Sequence, residues 1–153
     1  MSVTAIHYRQ PGWFTRQVFN RFVAWLTRRG VSVWGSRVLE VPGRRTGEPR
    51  RVPVNLLTVD GTEYLVSPRG NGQWVRNLRA NGGRLDLLLG KHRTQHLAHE
   101  LDDAGKVEIL RPYLRRWKFE VGQFFDCVDA DSSDEMIAAI APKHPVFRLH
   151  AAD

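Results

Sequence analysis

Arginine is concentrated in two short glycine-containing segments, where its guanidinium group is suited to binding an anion. The segments are "PGRRTGEPRRVPV" (residues 42–54) and "SPRGNGQW" (residues 67–74). Their candidate anion-binding side chains are Arg44, Arg45, Arg50 and Arg69. Guanidinium groups make planar, paired hydrogen bonds to phosphate and carboxylate oxygens, and glycine permits close backbone approach. The second segment also precedes a predicted helix N-terminus, whose free N–H groups favour an anion. The two segments predict one shared anion site; a solvated arginine hairpin is the alternative.

Other catalytic and metal-binding signatures are absent from the sequence. There is no GxSxG elbow, and "GRRTGE" lacks the lysine and the spacing of a phosphate-binding P-loop. His92, His96 and His99 lie on a predicted strand, where 92 and 96 share one face and 99 points to the other. This spacing favours solvated histidines over a metal site. With the single cysteine Cys127, the chain has no zinc-type ligand cluster.

Composition predicts one basic globular domain. The chain has 153 residues, 42% of them hydrophobic, and a formal net charge of +7, which favours an anionic partner: nucleic acid, a membrane surface or a small molecule. Cys127 has no internal disulfide partner, which is typical of a reducing cytoplasm. Arginines interrupt every apolar run in the first thirty residues, so we expect a cytoplasmic protein that is soluble or peripheral to the inner membrane face.

The N-terminal segment, residues 1–30, is predicted to be an amphipathic helical arm. Phe14, Val18 and Phe22 recur at helical spacing, and Gly30 provides a stop. We expect the arm to pack on the domain. The alternative is a basic helix that contacts anionic lipid through residues 12–29.

Three segments read as strands: "SRVLEVPG", "RVPVNLLTVDGTEYLVSP" and "GRLDLLLGKHRTQHLAHELDD". The DG pair at 60–61 predicts a tight hairpin, and the pair at 90–91 predicts a second. Pro49 and Pro53 indicate that their strand begins late or lies on an edge.

Three helices are predicted between and after these strands. "NGQWVRNLRANGG" is a short helix with Asn71 as its cap and Asn81 at its end. "DAGKVEILRPYLRRW" is a helix that Pro112 kinks or breaks, and "SSDEMIAAIAP" begins with a capping box of Ser132 and Glu135. Because strands and helices do not alternate as βαβ units, we predict an α+β fold, mainly antiparallel β, as a sheet or small barrel with peripheral helices.

A resemblance to a known family covers roughly residues 35–101. "GRRTGEPR" followed by "PV", then "DGTEYLVSPRG", then "WVRNLRAN", in this order and spacing, resembles the deazaflavin-dependent nitroreductase family of actinobacterial oxidoreductases. The resemblance implies a single split β-barrel domain over residues 1–153 that uses the reduced 8-hydroxy-5-deazaflavin coenzyme F-420. It implies cofactor contacts at Arg44, Arg45, Thr46, Gly47, Pro49, Arg50, Pro53, Val54, Ser67, Pro68, Arg69, Gly70, Trp74 and Asn77.

The resemblance also assigns roles within this set. Pro53 and Val54 lie along the ring, and Trp74 and Asn77 belong to the helix that closes the site. The phosphate and the glutamate tail are held by Arg44, Arg45, Thr46, Gly47, Pro49 and Arg50. The implied reaction is hydride transfer to an enone, quinone or nitro compound, which requires placement of donor and acceptor and no catalytic residue. Flavin mononucleotide is the alternative cofactor, since some relatives of this fold bind it.

The residues that contact the hydride acceptor are predicted from the aromatic residues in the C-terminal part of the chain. Family members that reduce bulky nitro compounds carry several tyrosines there, whereas this chain has only Tyr113. The candidate substrate contacts are therefore Tyr113, Trp117 and Phe124. Core packing is the alternative.

Two rival functions stay open. One is a non-enzymatic lipid or cofactor carrier of the same fold. The other is a nucleic-acid-binding barrel, which is disfavoured because the predicted strands carry no alternating aromatic residues on which bases could stack. A homodimer is a further expectation.

Overall fold

The computed structural model describes residues 36–121 and 124–152, so the predicted arm at residues 1–30 lies outside the described part. The elements, in order, are β1 (Ser36–Pro42), β2 (Pro49–Val59), β3 (Thr62–Val66), α1 (Gln73–Ala80), β4 (Arg84–Leu89), β5 (His92–Glu100), α2 (Val107–Val121), α3 (Asp134–Ile140) and β6 (Val146–Ala151). Single 3-10 turns precede α2 and follow α3. Within these residues no helix has the length and apolar character to cross a bilayer.

The strands form a closed antiparallel barrel in the order β1-β2-β3-β6-β5-β4. This confirms the predicted α+β split barrel with peripheral helices. The sequence analysis missed β6, which pairs with both β3 and β5 and so completes the closure. Its buried Phe147 and Leu149 alternate with exposed Arg148 and His150, which is the period-two pattern of a half-buried strand.

Two apolar clusters lie on opposite sides of the barrel wall. Neighbouring residues of a strand point to opposite faces, and accordingly Leu56 packs inside the barrel while Leu57 packs outside against helices. The interior cluster comprises Leu39, Val41, Leu56, Leu65, Val75, Leu78, Leu85, Leu87, Ala98, Phe147 and Leu149. The helix cluster joins α2 and α3 to the outside of β2, β3 and β6. Because Val75 and Leu78 belong to the interior cluster, α1 is fixed to the barrel itself.

Both predicted hairpins are confirmed. Asp60 and Gly61 have φ values of 50° and 79°, the left-handed conformation of a two-residue turn. A second turn at 90–91 joins β4 to β5. The prolines also fit their strand: Pro49 is its first residue, and Pro53 lies in the stretch that pairs with β1, whereas the stretch from Leu56 pairs with β3.

The predicted cap of α1 was wrong, while its end is confirmed. Gly72 is the N-cap and provides no side chain, and Asn71 instead accepts a hydrogen bond of 2.9 Å from Arg79. Asn81 is the C-cap, and Gly83 follows with a φ of 85°. A Cβ on Gly83 would lie 2.4 Å from the carbonyl oxygen of Ala98, so glycine is required there for contact with β5.

Two predictions about the later helices need correction. Helix α2 continues through Pro112, and its non-helical residue is Trp117, with φ −121° and ψ 22°. The cap of α3 is Ser133, which accepts a hydrogen bond of 3.2 Å from the Met136 amide. Ser132 lies one residue too early, and its hydroxyl accepts a hydrogen bond of 3.0 Å from the amide of Asp129.

Candidate functional site

The turn between β1 and β2, together with the first two residues of β2, is here called the arginine loop (residues 43–50), and the turn is closed by its own backbone. The Gly43 amide donates to the carbonyl of Glu48, and the Gly47 amide donates to the carbonyl of Gly43, both at 2.8 Å. Gly47 has a φ of 77°, which glycine adopts without strain. The loop is therefore a preformed turn, and residues 44–50 are exposed on it.

The segment between β3 and α1, here called the serine loop (residues 67–72), is held from beneath. Ser67 is 1% exposed, its amide donates to the carbonyl of Pro145 at 2.9 Å, and its hydroxyl donates to the carbonyl of Gly70 at 2.5 Å. The loop runs directly into α1, whose N-cap Gly72 makes no side-chain hydrogen bond. The first-turn N–H groups of α1, at the positive end of the helix dipole, therefore have no capping side chain.

Arg44 and Asn77 join the two loops. The Asn77 side-chain oxygen accepts from the Arg44 amide at 3.1 Å and from the Arg44 guanidinium at 2.8 Å. The same guanidinium nitrogen donates to Gln73 at 2.8 Å. Because Asn77 is only 5% exposed, these bonds fix the arginine loop against α1. The structure therefore brings the two predicted segments together, and Arg44 is part of the joint between them.

Arg45 and Arg50 differ from Arg44. Among residues 36–117 and 124–152, whose side chains the structure describes, neither side chain has a hydrogen-bond or ion-pair partner, although Glu48 lies in the same loop. The Arg50 side chain passes over Gly43, where an added Cβ would lie 3.3 Å from Nε of Arg50. Two exposed cations on a preformed turn are thus left to interact with a ligand or with water.

An apolar surface adjoins the loops. Val52 and Val54 of β2 and Trp74 of α1 are partly buried and pack against the interior cluster. The Trp74 ring lies 5.8 Å from the ring of Phe147, tilted by 53°. Pro53, between the two valines, faces the other side of β2, as alternation along a strand requires. A planar group could rest on this surface with part of its area removed from water.

The candidate substrate aromatics lie within the helix cluster. Tyr113 and Trp117 are each 1% exposed and Phe124 is 8% exposed, a burial that fits the core-packing alternative. Phe124 is nevertheless adjacent to the serine loop, because the guanidinium carbon of Arg69 lies 5.4 Å from the centre of its ring. Phe124 is therefore the member of this set that the structure brings to the site.

The sequence of this chain matches a family of known enzymes. A sequence model of the F420H(2)-dependent quinone reductase family matches residues 14–122, more than half of the 153-residue chain. The chain belongs to this family. It is an oxidoreductase that depends on reduced F-420, which confirms the predicted cofactor and the predicted enzyme class. No curated protein sequence matches the chain.

Solved structures share the fold of this reductase at low sequence identity. One, described as a domain-swapped dimer, has a TM-score of 0.55 and 18% identity, covering 92% of this chain and 100% of that chain. The "F420-H2 Dependent Reductase (FDR-A)" has a TM-score of 0.50 and 17% identity, with coverage of 76% and 94%. A putative pyridoxamine 5'-phosphate oxidase from Listeria innocua has a TM-score of 0.51 and 16% identity, with coverage of 78% and 85%. At these identities the likeness concerns the fold alone.

The donor groups of the reductase fit the anionic groups of F-420. Phosphate and carboxylate oxygens require charged or N–H donors, and the site offers the guanidinium groups of Arg45 and Arg50 and the first-turn amides of α1. An apolar surface, formed by Val52, Val54 and Trp74, adjoins these donors. The described residues contain no group of three or more His, Cys, Asp or Glu able to hold a metal ion.

Two residues beside the site were missed in the sequence. Gln73 accepts the Arg44 hydrogen bond, and it lies four positions before Asn77, a spacing that places both on one helix face. His144 lies 77 positions from Ser67, with its Nδ1 3.3 Å from the Ser67 carbonyl oxygen. The helical spacing could have identified Gln73, whereas no local pattern indicates His144.

A second group of arginines lies outside the barrel wall. This outer-face network consists of Glu40, Arg51, Asp86 and Arg93. Glu40 binds Arg51 and Arg93 at 2.7 Å each, and Arg93 also binds Asp86 at 2.5 Å. Hydrogen bonds from Arg93, and then from Arg51, lower the pKa of Glu40 below its ordinary value, although burial opposes them. These arginines are therefore already neutralised by carboxylates.

A cleft of about 240 Å³ lies between the arginine loop and strands β4 and β5. Gly47, Arg84, Gln95 and His96 are among its lining residues. Burial lowers the pKa of His96, although nearby Glu63 and Asp86 raise it. A neutral imidazole therefore lies at the rim of this cleft near neutral pH.

Proposed function

We propose that this reductase binds reduced F-420 across the arginine loop and the serine loop and delivers hydride to a quinone. One observation carries the proposal: Arg45 and Arg50 project from a turn that Arg44 and Asn77 fix against α1, and the described part of the chain supplies neither with a partner. Arginines held in this way are preorganised for a polyanion, because their loop needs no rearrangement on binding.

The proposed cofactor contacts lie on the arginine loop, on the serine loop and on the adjoining apolar surface. Arg45 and Arg50 bind phosphate and carboxylate groups, and Thr46, Gly47 and Pro49 shape the turn. On the other loop, the contacts are made by Ser67, Pro68, Arg69 and Gly70. Val54 and Trp74 lie along the ring, whereas Pro53 faces the other side of β2, away from the ring, and Asn77 acts through Arg44.

Placement is the main contribution of the protein to the reaction. Bound reduced F-420 supplies a hydride to an electrophilic acceptor. Val52, Val54 and Trp74 exclude water from one side and orient the acceptor. The residues assigned to the site include no histidine, cysteine, aspartate or glutamate, so in this proposal the proton that completes quinone reduction comes from water. Phe124 beside Arg69 is the proposed contact on the acceptor side.

The quinone is favoured among the three acceptor classes because the matched family is described by quinone reduction. Anaerobic stopped-flow oxidation of reduced F-420 by a soluble naphthoquinone, a cyclic enone and a nitroaromatic compound tests this choice. We expect kcat/KM to be at least about tenfold higher for the quinone, a difference of about 1.4 kcal/mol in transition-state binding. Equal or better turnover of the enone or the nitro compound would contradict the choice.

Four single variants test placement against acid–base catalysis. A shift of about 1 Å in the reacting groups can reduce rate on the order of a hundredfold, so Trp74→Ala should reduce turnover strongly. His92→Ala, His96→Ala and His99→Ala should stay within a few-fold of the parent, because loss of a general acid typically costs roughly a hundredfold or more. A histidine variant that binds F-420 and fails to transfer hydride would refute this mechanism.

We further propose a cytoplasmic homodimer whose N-terminal arm, residues 1–30, packs on a single split-barrel domain. The dimer is supported by the fold relative described as a domain-swapped dimer. Light scattering of the purified chain should give twice the monomer mass. Deleting residues 1–30 should lower the melting temperature, whereas unchanged melting with loss of liposome binding would favour the membrane alternative for residues 12–29.

A further inference from the structure

His144 lies beneath the serine loop with a defined orientation. It is 1% exposed, and its ring stacks on Phe125 at 4.1 Å between centroids with an angle of 21° between the planes. Its Nδ1 is 3.3 Å from the carbonyl oxygen of Ser67. Because a carbonyl oxygen can only accept, Nδ1 must carry the proton in this contact.

Ser67 is the residue through which the serine loop is attached to the barrel. Its amide donates to Pro145 and its hydroxyl to Gly70, while its carbonyl accepts from the Gly70 amide at 3.3 Å as well as from His144. Gly72, the N-cap of α1, donates to the carbonyl of Gly70 at 2.9 Å. A change in the direction of the Ser67 carbonyl would therefore be passed along the loop to the start of α1.

On its other side, His144 is connected through Ala141 to the residue that precedes α2. The carbonyl of Ala141 accepts from the His144 amide at 3.1 Å and from Nζ of Lys106 at 3.0 Å. Lys106 directly precedes α2, its side chain is 5% exposed, and it also pairs with Asp103 at 2.8 Å. His144 therefore lies between the serine loop and the backbone at Ala141, which the buried ammonium group of Lys106 holds in place.

We infer that His144 is a positioning residue for F-420 binding, which it aids by holding the Ser67 carbonyl and so the serine loop in the binding geometry. This inference rests on the proposed function, since it assumes that the serine loop contacts the cofactor. His144 itself touches neither cofactor nor acceptor in this account. Its effect should appear in cofactor affinity and in the KM for reduced F-420, with kcat at saturation little changed.

Two substitutions separate the hydrogen bond from the stacking. His144→Phe keeps an aromatic ring on Phe125 and removes the donor; His144→Asn keeps an N–H near the Nδ1 position and removes the ring. We expect His144→Phe to weaken F-420 binding by about tenfold in a fluorescence titration. We expect His144→Asn to remain within about threefold of the parent, although it should unfold at a lower temperature because stacking is lost.

Amide hydrogen exchange gives a readout that does not need the cofactor. In the unliganded protein, His144→Phe should exchange faster than the parent over residues 67–72, and His144→Asn should resemble the parent there. If His144→Phe does not fold, His144→Gln replaces it, because its amide group reaches the Nε2 position and leaves Ser67 without the donor.

The outcomes distinguish this inference from the proposed function. Parent-like F-420 affinity and exchange in His144→Phe would overturn the inference and leave the proposed function standing. Equal losses in the Phe and Asn variants would also overturn it, since packing would then explain both. A parent that does not bind F-420 would refute the proposed site, and the exchange experiment would still decide whether His144 holds the loop.

Discussion

Two groups of arginines lie a few residues apart in this reductase and have opposite surroundings. In the outer-face network, Arg51 and Arg93 are paired with carboxylates at 2.7 Å or less. In the arginine loop, Arg45 and Arg50 have no such partner within the described residues. Arg50 and Arg51 are neighbours on β2, yet of the two only Arg51 has a carboxylate partner among the described residues, because successive residues of a strand face opposite sides.

The difference shows how one residue type can serve stability and binding on a single surface. The N–H groups of an arginine paired with a carboxylate are already hydrogen-bonded within the protein. Those of an arginine that lacks such a partner on a fixed turn can instead donate to a ligand. Arg44 is intermediate, because Asn77 and Gln73 occupy one of its nitrogens and thereby hold the turn. The comparison predicts that changes in the loop reduce binding, changes in the network reduce stability, and changes at the joint between loop and helix reduce both.

The largest expected effect is on binding when the Arg45 and Arg50 side chains are both removed. Each charge-assisted hydrogen bond contributes about 1.5 to 3 kcal/mol, so Arg45→Ala combined with Arg50→Ala should weaken F-420 binding by roughly a hundredfold or more. Fluorescence titration measures the affinity, and thermal unfolding should show a parent-like melting temperature. A large fall in melting temperature would mean that these side chains stabilise the fold after all.

The joint between loop and helix should affect both properties. Asn77→Ala removes a buried acceptor and leaves the Arg44 amide without its partner, which should destabilise the protein by about 1 to 3 kcal/mol. F-420 affinity should fall by roughly tenfold because the turn is no longer fixed to α1. Asn77→Asp, which keeps an acceptor oxygen, is the matched control in denaturant titrations and in binding. Equal losses in both variants would argue against the hydrogen bonds.

A smaller effect is expected in the outer-face network. Glu40→Gln removes the charge that Arg51 and Arg93 share, and since its side chain is 14% exposed we expect a stability loss of about 1 kcal/mol. F-420 affinity should not change. The pKa of Glu40 is lower in the folded state, so its stabilisation is present above about pH 4.5 and is lost as pH falls through the folded-state pKa. The stability difference between parent and variant should therefore shrink in acid.

The smallest effect concerns His96. Burial lowers its pKa below 6.5, so the unfolded chain binds more protons than the folded one as pH falls from 7 towards 5. His96 therefore favours the folded state above pH 6.5 and disfavours it progressively below. Replacement by Gln should flatten the pH dependence of the free energy of unfolding in this range. A steeper dependence in the variant would show that another group is responsible.

The sequence predicted the parts of this molecule that depend on local chemistry. The hairpin at 60–61 and the end of α1, where Gly82 and Gly83 follow Asn81, depend on left-handed backbone conformations that few residue types adopt. It did not reveal β6, because six residues after a helix carry too short an alternation to be distinguished from a loop. The family motif named Arg50 and not Arg51, but it did not reveal the carboxylate partners of Arg51, because those depend on barrel register and on contacts far along the chain.

The comparison of Arg50 and Arg51 is also the most direct test of the account. Arg50→Ala and Arg51→Ala remove the same side chain from adjacent positions, and F-420 affinity of each is measured by fluorescence titration against the parent, with flavin mononucleotide as a second ligand. We predict that Arg50→Ala weakens F-420 binding by about tenfold or more, corresponding to over 1.4 kcal/mol, and that Arg51→Ala binds within about twofold of the parent and is less stable. Parent-like affinity of Arg50→Ala, or equal losses in the two variants, would contradict the account.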